Sequence, residues 1–195
     1  RNFNIRKNTL NYDDVMNTQR EIIYTQRAQV LDGEDLHDSI LKMMDEMISN
    51  TVKMYVNDEL TDHSEWNIVG LREHFMGWIL EEGDLEFEDS ELDKLSSDEL
   101  AKTIQEKAQA IYAAKEEEYG EETIRELERV IMLKIVDTKW MAHIDDMSEL
   151  KRGISLRAYG QKNPVVEYRY EGFEMFDAMI ASIQEETVRM LLTVR

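Results

Sequence analysis

The residues that could support catalysis are few in this sequence of 195 residues. It contains no cysteine, which excludes thiolate chemistry, disulfides and cysteine-ligated zinc within the chain. No segment of the form G-x-x-x-x-G-K-S/T is present, so the chain has no P-loop to cradle a nucleotide. We therefore expect that this chain is not an enzyme and binds no cofactor by itself.

The histidines and paired carboxylates are the remaining candidates for metal ligands. The four histidines are His37, His63, His74 and His143. His143 is followed closely by Asp145 and Asp146, but a metal site on helices needs more ligands that face inward. Asp13 and Asp14 are neighbours and would point in different directions on a helix. We interpret these groups as structural or solvated, with a small helical metalloenzyme as an alternative.

The charge is distributed very unevenly along the chain. The formal net charge is -19, of which residues 33–99 carry -16, whereas residues 151–170 carry +4. Nucleic acid is disfavoured as the main partner because phosphates would be repelled by most of the surface. The acidic residues of 81–93 could bind cations or a basic protein, although a solvated, turn-rich surface is the simpler interpretation. No apolar run is long enough to predict a transmembrane segment.

The hydrophobic spacing predicts an all-α fold, since eight glycines and one proline leave little material for the turns of a β fold. The predicted helices span residues 3–31, 35–56, 68–80, 97–119, 121–151 and 165–194, with a very short extended piece at Leu85 and Phe87. Ser96 or Ser97 is expected to cap the fourth helix and Gly120 to end it. The last helix carries a heptad seam made of Phe173, Phe176, Ile180, Ile183, Thr187, Met190 and Val194.

The last two helices should form an antiparallel hairpin, because each would otherwise leave an apolar stripe in water. Gly153 is expected to end the first of them and Pro164 to begin the second. The turn between them also holds an exposed set of basic and aromatic residues that a turn does not require: Arg152, Arg157, Tyr159 and Lys162. Exposed tips often carry function. A solvated turn whose cations complement the helix C-terminus is the alternative.

Two stretches resemble SecA, the family of bacterial preprotein translocase motors. RAYGQKNPVVEYRYEGFEMF is similar to the family segment L-R-G-Y-x-Q-K-D-P-x-x-E-Y-K-x-E-G-F-x-M-F. The opening RNFNIRKNTLNYDDVMNTQR resembles R-N-F-x-I-R-K-x-L-L-x-Y-D-D-V-x-N-x-Q-R. LEEGDLEF and KWMAHIDDM also stand where the family has its wing and the helix that leads to its hairpin. The chain departs from the pattern at Ala158, where Gly is common, and at Asn163, where Asp is common.

The resemblance implies three segments: a long scaffold helix at 1–33, a small inserted helical wing domain at 34–118, and a two-helix finger at 119–195. It makes Tyr159 the residue that meets the moving polypeptide. Arg152, Arg157 and Lys162 would then contact the channel or lipid headgroups. Arg6 and Lys7 lie in the family motif of the long helix and are candidates for contact with the motor domains.

The partners implied by the resemblance are the SecYEG channel, an unfolded preprotein and the motor domains of the same protein, where ATP and Mg would be bound. The location implied is cytoplasmic and peripheral, at the inner face of the bacterial plasma membrane. On this interpretation the sequence is a piece of a longer protein. The alternative is a free-standing acidic helical adaptor that binds a basic protein.

Overall fold

The computed structural model describes residues 2–33, 35–157 and 163–195. This part of the chain contains seven α-helices: α1 (Asn2–Leu31), α2 (His37–Tyr55), α3 (Ile68–Phe75), α4 (Asp89–Leu92), α5 (Ser97–Tyr119), α6 (Glu121–Arg157) and α7 (Pro164–Thr193). Its sole β-type pairing, within the described ranges, is one isolated bridge between Met76 and Leu80. The predicted all-α fold is confirmed.

The first of two compact units takes in Arg1–Glu34 and Met132–Ile183, and so contains α1, most of α6 and the first two thirds of α7. Its core holds one cluster of buried side chains drawn from all three helices: Tyr12, Val15, Met147, Ile154, Val165 and Tyr168. The rings of Tyr12 and Tyr168 meet edge to face with their centroids 4.9 Å apart, a favoured aromatic geometry. Since Ile154 shares this cluster with Val165, α6 and α7 fold back on each other as predicted.

The second unit takes in Asp35–Ile131 and Gln184–Arg195. In it α2 packs mainly against α5, and each helix presents a row of fully buried residues: Ile40, Met44 and Ile48 from α2, and Leu100, Ile104 and Ala108 from α5. The predicted ends of α5 are confirmed. The Ser96 side chain accepts a hydrogen bond from the Glu99 amide, and Gly120 follows the helix with a φ of +91°, which glycine adopts most readily.

A buried carboxylate is the polar centre of the second unit. Glu128 is fully buried, and one of its oxygens accepts hydrogen bonds from the Tyr112 hydroxyl and from Nη1 of Arg125, the latter at 2.7 Å. Burial, followed by the hydrogen bond to Glu128, raises the pKa of Tyr112 above its ordinary value. The His37 ring stacks on Tyr112 at 5.7 Å. Residues from α5 and α6 therefore satisfy one oxygen of the buried carboxylate, whereas its Oε2 is buried without a hydrogen-bond partner among the described residues.

Three local predictions were wrong. Helix α6 does not end at Gly153 but continues to Arg157, because a single glycine weakens a helix without breaking it when its neighbours are packed. Helix α3 ends at Phe75 rather than at residue 80. No strand forms at Leu85 and Phe87. Leu85 has a φ of +56° and follows a turn in which the Asp84 carboxylate accepts from the Glu81 amide.

The heptad seam predicted for α7 was wrong at two of its positions. Phe173 is 65% exposed and Met190 is 41% exposed. The row that is buried instead consists of Val165, Tyr168, Gly172, Phe176, Met179, Ile183, Thr187 and Leu191. Four-residue steps outnumber three-residue steps in this row, as expected for a helix that does not supercoil with a constant 3.5-residue repeat.

A matched pair of substitutions near the end of α6 tests this packing. Ile154 is fully buried and Leu156 is 80% exposed. Ile154→Ala should lower the free energy of unfolding by about 2–5 kcal/mol, because it removes apolar contacts and leaves a cavity. Leu156→Ala should change it by less than about 0.5 kcal/mol. Urea unfolding of the chain measures both, and equal losses would contradict the described register of α6.

Candidate functional site

The candidate site is the connection between α6 and α7. Two of its predicted residues, Tyr159 and Lys162, lie outside the described residues. The structure places Arg152 and Arg157, both exposed, on the last two turns of α6. Helices α6 and α7, which flank the connection, pack on each other. We therefore still expect the connection to lie at the end of a two-helix hairpin.

Both described arginines of the site are ion-paired. A guanidinium nitrogen of Arg152 lies 3.1 Å from a carboxylate oxygen of Glu149, one turn earlier on α6. Two nitrogens of Arg157 bind the two carboxylate oxygens of Glu171 on α7, each at 3.1 Å. This bidentate hydrogen bond raises the pKa of Arg157. Two carboxylates just outside residues 151–170 in the sequence, Glu149 and Glu171, therefore offset half of the +4 charge of that stretch.

The start of α7 is fixed by its own residues. Pro164 is the first residue of the helix, as predicted. Asn163 precedes it, and its side-chain oxygen accepts a hydrogen bond from the Val165 amide at 3.1 Å. Asn therefore serves as an N-cap here, a role that Asp performs equally well. The departure from the family pattern at this position leaves the cap intact.

Below the connection, tyrosines from two helices form the support of the site. Tyr168 is buried against Tyr12, and burial raises the pKa of Tyr168 to about 12, with the nearby carboxylate of Asp13 adding to the rise. The Lys151 ammonium lies 5.1 Å from the centroid of the Tyr12 ring, within range of a cation–π contact. Asp13 and Lys151 also line a groove of about 410 Å³ beside these rings.

A buried polar contact joins the three helices of the first unit farther from the connection. The side-chain oxygen of Gln19 on α1 lies 2.6 Å from Nε2 of His143 on α6. The side-chain nitrogen of Gln19 donates to the backbone oxygen of Gly172 on α7 at 3.2 Å. Both side chains are almost fully buried, Gln19 at 6% and His143 at 3% exposure. Hydrophobic periodicity did not identify this contact, since a buried glutamine interrupts an apolar stripe.

Sequence reasoning also missed an exposed apolar strip on α7. Val166, Tyr170 and Phe173 follow one another at helical spacing, and all three are more than half exposed. Val166 and Tyr170 line a groove of about 740 Å³ together with Met175 and three glutamates of the same helix. The helical spacing of Val166, Tyr170 and Phe173 also predicts an apolar strip, but the predicted seam places Phe173 on the buried face of α7.

The remaining candidate metal ligands, His63 and His74, form hydrogen bonds with other protein groups. His63 lies 2.8 Å from the Leu92 carbonyl oxygen, and His74 contacts Tyr55 and Glu185. The described ranges include no group of three or more His, Asp or Glu side chains arranged to hold a metal ion.

The acidic segment is also engaged in part. Asp84 pairs with Lys107 at 3.0 Å and Glu86 with Arg72 at 3.2 Å, and Glu88 and Glu91 form the capping box of α4. These contacts weigh against an acidic surface that is kept free for a basic partner. Asp13 and Asp14 are exposed, and so is Arg6. For Lys7 only the backbone is described.

The comparisons with known proteins agree on one family. The model of the SecA wing and scaffold domain matches residues 1–195. The chain therefore belongs to the SecA wing and scaffold family. It is 50% identical to a protein translocase subunit SecA of Pelotomaculum thermopropionicum and 49% identical to one of Desulforudis audaxviator, with all of this chain and 22% of each relative covered.

A protein translocase subunit SecA 1 of Alkaliphilus metalliredigens is 48% identical, again over the whole of this chain and 21% of the relative. The chain thus spans about a fifth of the length of the curated relatives it matches. Within the described ranges, none of the helices combines the length and the apolar character that crossing a bilayer requires.

The buried His143 predicts a pH dependence of stability. Burial lowers its pKa in the folded chain, only partly opposed by Asp146 on the same helix. The unfolded chain therefore takes up a proton at about pH 6.5, the ordinary value for histidine, before the folded chain does. The stability due to neutral His143 is complete above about pH 6.5 and is lost as the pH falls below it.

Unfolding by urea at a series of pH values measures this loss. His143→Gln keeps an amide donor for Gln19 but cannot titrate, and the other three histidines are present in both proteins. The variant should lose part of the decrease in stability between about pH 6.5 and pH 5. Identical pH profiles for the two proteins would show that His143 is not buried in its neutral form.

Proposed function

We propose that the chain is the scaffold and wing part of a SecA-type motor that moves preproteins through the SecYEG channel. Its three proposed segments are the scaffold helix at 1–33, the wing at 34–118 and the two-helix finger at 119–195. The chain contributes no catalytic group. ATP and Mg would bind to motor domains elsewhere in the full-length protein. That protein would work in the cytoplasm, peripherally at the inner face of the plasma membrane.

The observation that best supports this proposal is the α6–α7 hairpin packed on α1, with Tyr159 in its connecting segment. A helix pair that is braced by a third helix resists bending and transmits displacement along its length. An aromatic ring with one hydroxyl contacts many kinds of side chain through its faces and donates one hydrogen bond. Such a residue suits a polypeptide whose sequence changes as it passes.

The charged residues have a secondary role in this proposal. Arg152, Arg157 and Lys162 would steady the finger against channel loops or anionic headgroups. Arg6 and Lys7, at the start of α1, would contact the motor domains. Arg6 is exposed and so is available for such a contact.

Replacement of the tyrosine in the full-length protein tests the proposed grip. Tyr159→Ala should reduce the transport of a preprotein into channel-containing vesicles by roughly fivefold, because one aromatic contact is worth on the order of 1 kcal/mol. Tyr170→Ala removes an equally large ring that is 65% exposed on the same hairpin, and should retain most of the transport. Similar transport by the Tyr159→Ala variant and the unaltered protein would refute the grip.

A second pair of variants tests the headgroup contact. The guanidinium of Arg157 forms an ion pair with Glu171. If that guanidinium meets anionic lipid, Arg157→Gln should weaken association with vesicles that contain anionic lipid, and Glu171→Gln should strengthen it by freeing the cation. Both effects should shrink at high salt. Co-sedimentation with vesicles measures the affinity, and equal affinities in all three proteins would exclude Arg157 from the contact.

A further inference from the structure

We propose that Gln19 fixes the register of the finger on α1, so that the finger moves together with α1 and does not slide along it. This inference rests on the function proposed above. It concerns the three helices of the first unit only. Its central observation is the pair of buried hydrogen bonds from Gln19 to His143 and Gly172.

The chemistry of these bonds leaves one arrangement. The Gly172 backbone oxygen can only accept, so the amide nitrogen of Gln19 must face it and donate. The amide oxygen of Gln19 then faces Nε2 of His143, which must carry the proton. The ring of His143 also contacts the rings of Trp140 and Phe176, with centroids 5.6 and 5.7 Å away. The two hydrogen bonds of Gln19 thus form only when His143 of α6 and Gly172 of α7 both lie opposite it.

Sliding by one helical turn would break this arrangement. A shift of one turn along a helix is about 5.4 Å, which lengthens both hydrogen bonds far beyond their working range. The buried amide and the imidazole would then lose their partners, whereas the Gly172 carbonyl would keep its bond within α7. A full turn would bring a different residue opposite Gln19 and would not restore the pair.

Gly172 adds a steric restriction at the same level. A Cβ atom at this position would lie 2.6 Å from Cε and 3.2 Å from Sδ of Met147, and 3.8 Å from the amide nitrogen of Gln19. Helix α7 therefore approaches its neighbours closely at its one buried glycine. If α7 slid by one turn, a larger side chain of the same face, Tyr168 or Phe176, would have to enter this space.

Two further contacts act on either side of Gln19. Toward the start of α1, Tyr12 packs on Tyr168 of α7. Toward its end, Arg27 binds Asp137 of α6 at 2.8 Å. Tyr12 and Arg27 are about 22 Å apart along α1 at 1.5 Å per residue. Sliding would have to disrupt all three levels together, so displacement of the finger requires displacement of α1.

A cross-link between α1 and α7 tests the inference directly. Thr18 and Phe173 are exposed and line one groove between these helices, and the chain has no cysteine of its own. Thr18→Cys and Phe173→Cys would be introduced together into the full-length protein, with any cysteine elsewhere replaced, and joined with a short bismaleimide. Transport should stay within about twofold of the uncross-linked double variant, a difference of less than 0.5 kcal/mol.

A loss of transport of about tenfold or more on cross-linking would overturn the inference, because it would mean that α1 and α7 must slide. The two single-cysteine proteins treated with the same reagent show whether modification alone causes such a loss. The proposed function fails in a different way. If the unaltered full-length protein moves no preprotein, the function is refuted whatever the cross-link does, and the spin-label distances below then decide the inference alone.

Substitution of Gln19 provides the second measurement. Gln19→Leu removes both hydrogen bonds, and Gln26→Leu makes the same change at an exposed position of α1. Spin labels at positions 18 and 173 of the full-length protein should give one narrow distance with and without nucleotide. Gln19→Leu should broaden that distance, whereas Gln26→Leu should not. A distance that changes with nucleotide in the unaltered protein would overturn the inference.

The same substitution removes two hydrogen bonds and should raise the ATP consumed per preprotein moved by at least about fivefold, the factor that corresponds to the net contribution of one such bond. The cross-link should restore the ratio, which a purely structural loss of stability would not allow. If Gln19→Leu fails to fold, the cross-linked and spin-labelled proteins with Gln19 in place decide the matter.

Discussion

The buried amide of Gln19 is the constraint on which the arrangement of the first unit depends. Apolar side chains such as Val15 and Ile154 stabilise the contact between helices but accept small shifts, since their attraction has no direction. An amide in the same core accepts much smaller shifts than apolar side chains do, because its donor and its acceptor each require a partner in a particular direction. Buried apolar surface thus holds the three helices together, and the two hydrogen bonds of Gln19 fix their positions relative to one another.

Apolar packing and directional hydrogen bonds have the same two roles in the second unit. The apolar rows on α2 and α5 provide buried contact surface, and the hydrogen bonds of the buried Glu128 carboxylate require partners in particular directions. A buried charge is costly unless it is paired and hydrogen-bonded. Arg125 on α6 and Tyr112 on α5, on either side of Gly120, meet that requirement for one of the two carboxylate oxygens. The left-handed backbone at Gly120 lets the chain leave α5 and enter α6 while these two residues converge on one carboxylate.

The helices of this fold could be predicted from the sequence because their signals are local. Ser96 caps the start of α5 through its side chain, and Gly120 ends that helix with a positive φ. Pro164 begins α7 with its fixed φ. None of these signals depends on residues distant in the sequence. Gly153 gave the same local signal and was misleading. Its neighbour Ile154 is buried against other helices, and that tertiary contact extends α6 beyond the glycine.

The side chains of the site were harder to predict, because their partners are distant in the sequence. The pairing of Arg157 with Glu171 depends on the register of the hairpin, and the contact between Gln19 and His143 joins residues 124 positions apart. The exposure of Phe173 has the same origin. Its spacing fits a seam equally well, and only the close approach of α7 at Gly172 decides which face is buried.

The ion pairs of the site bear on how a finger could act on many polypeptides. Arg152 and Arg157 have carboxylate partners on α6 and α7, so their charge is offset locally and they attract an acidic segment weakly. A finger that selected its substrate by charge would move some stretches of a preprotein and stall on others. An aromatic ring near arginines that are already ion-paired has less preference of that kind, because every polypeptide offers backbone and apolar groups to an aromatic face. Under the proposed function, the pairing of the arginines thus serves tolerance of sequence, and rigid attachment to α1 serves the transmission of force.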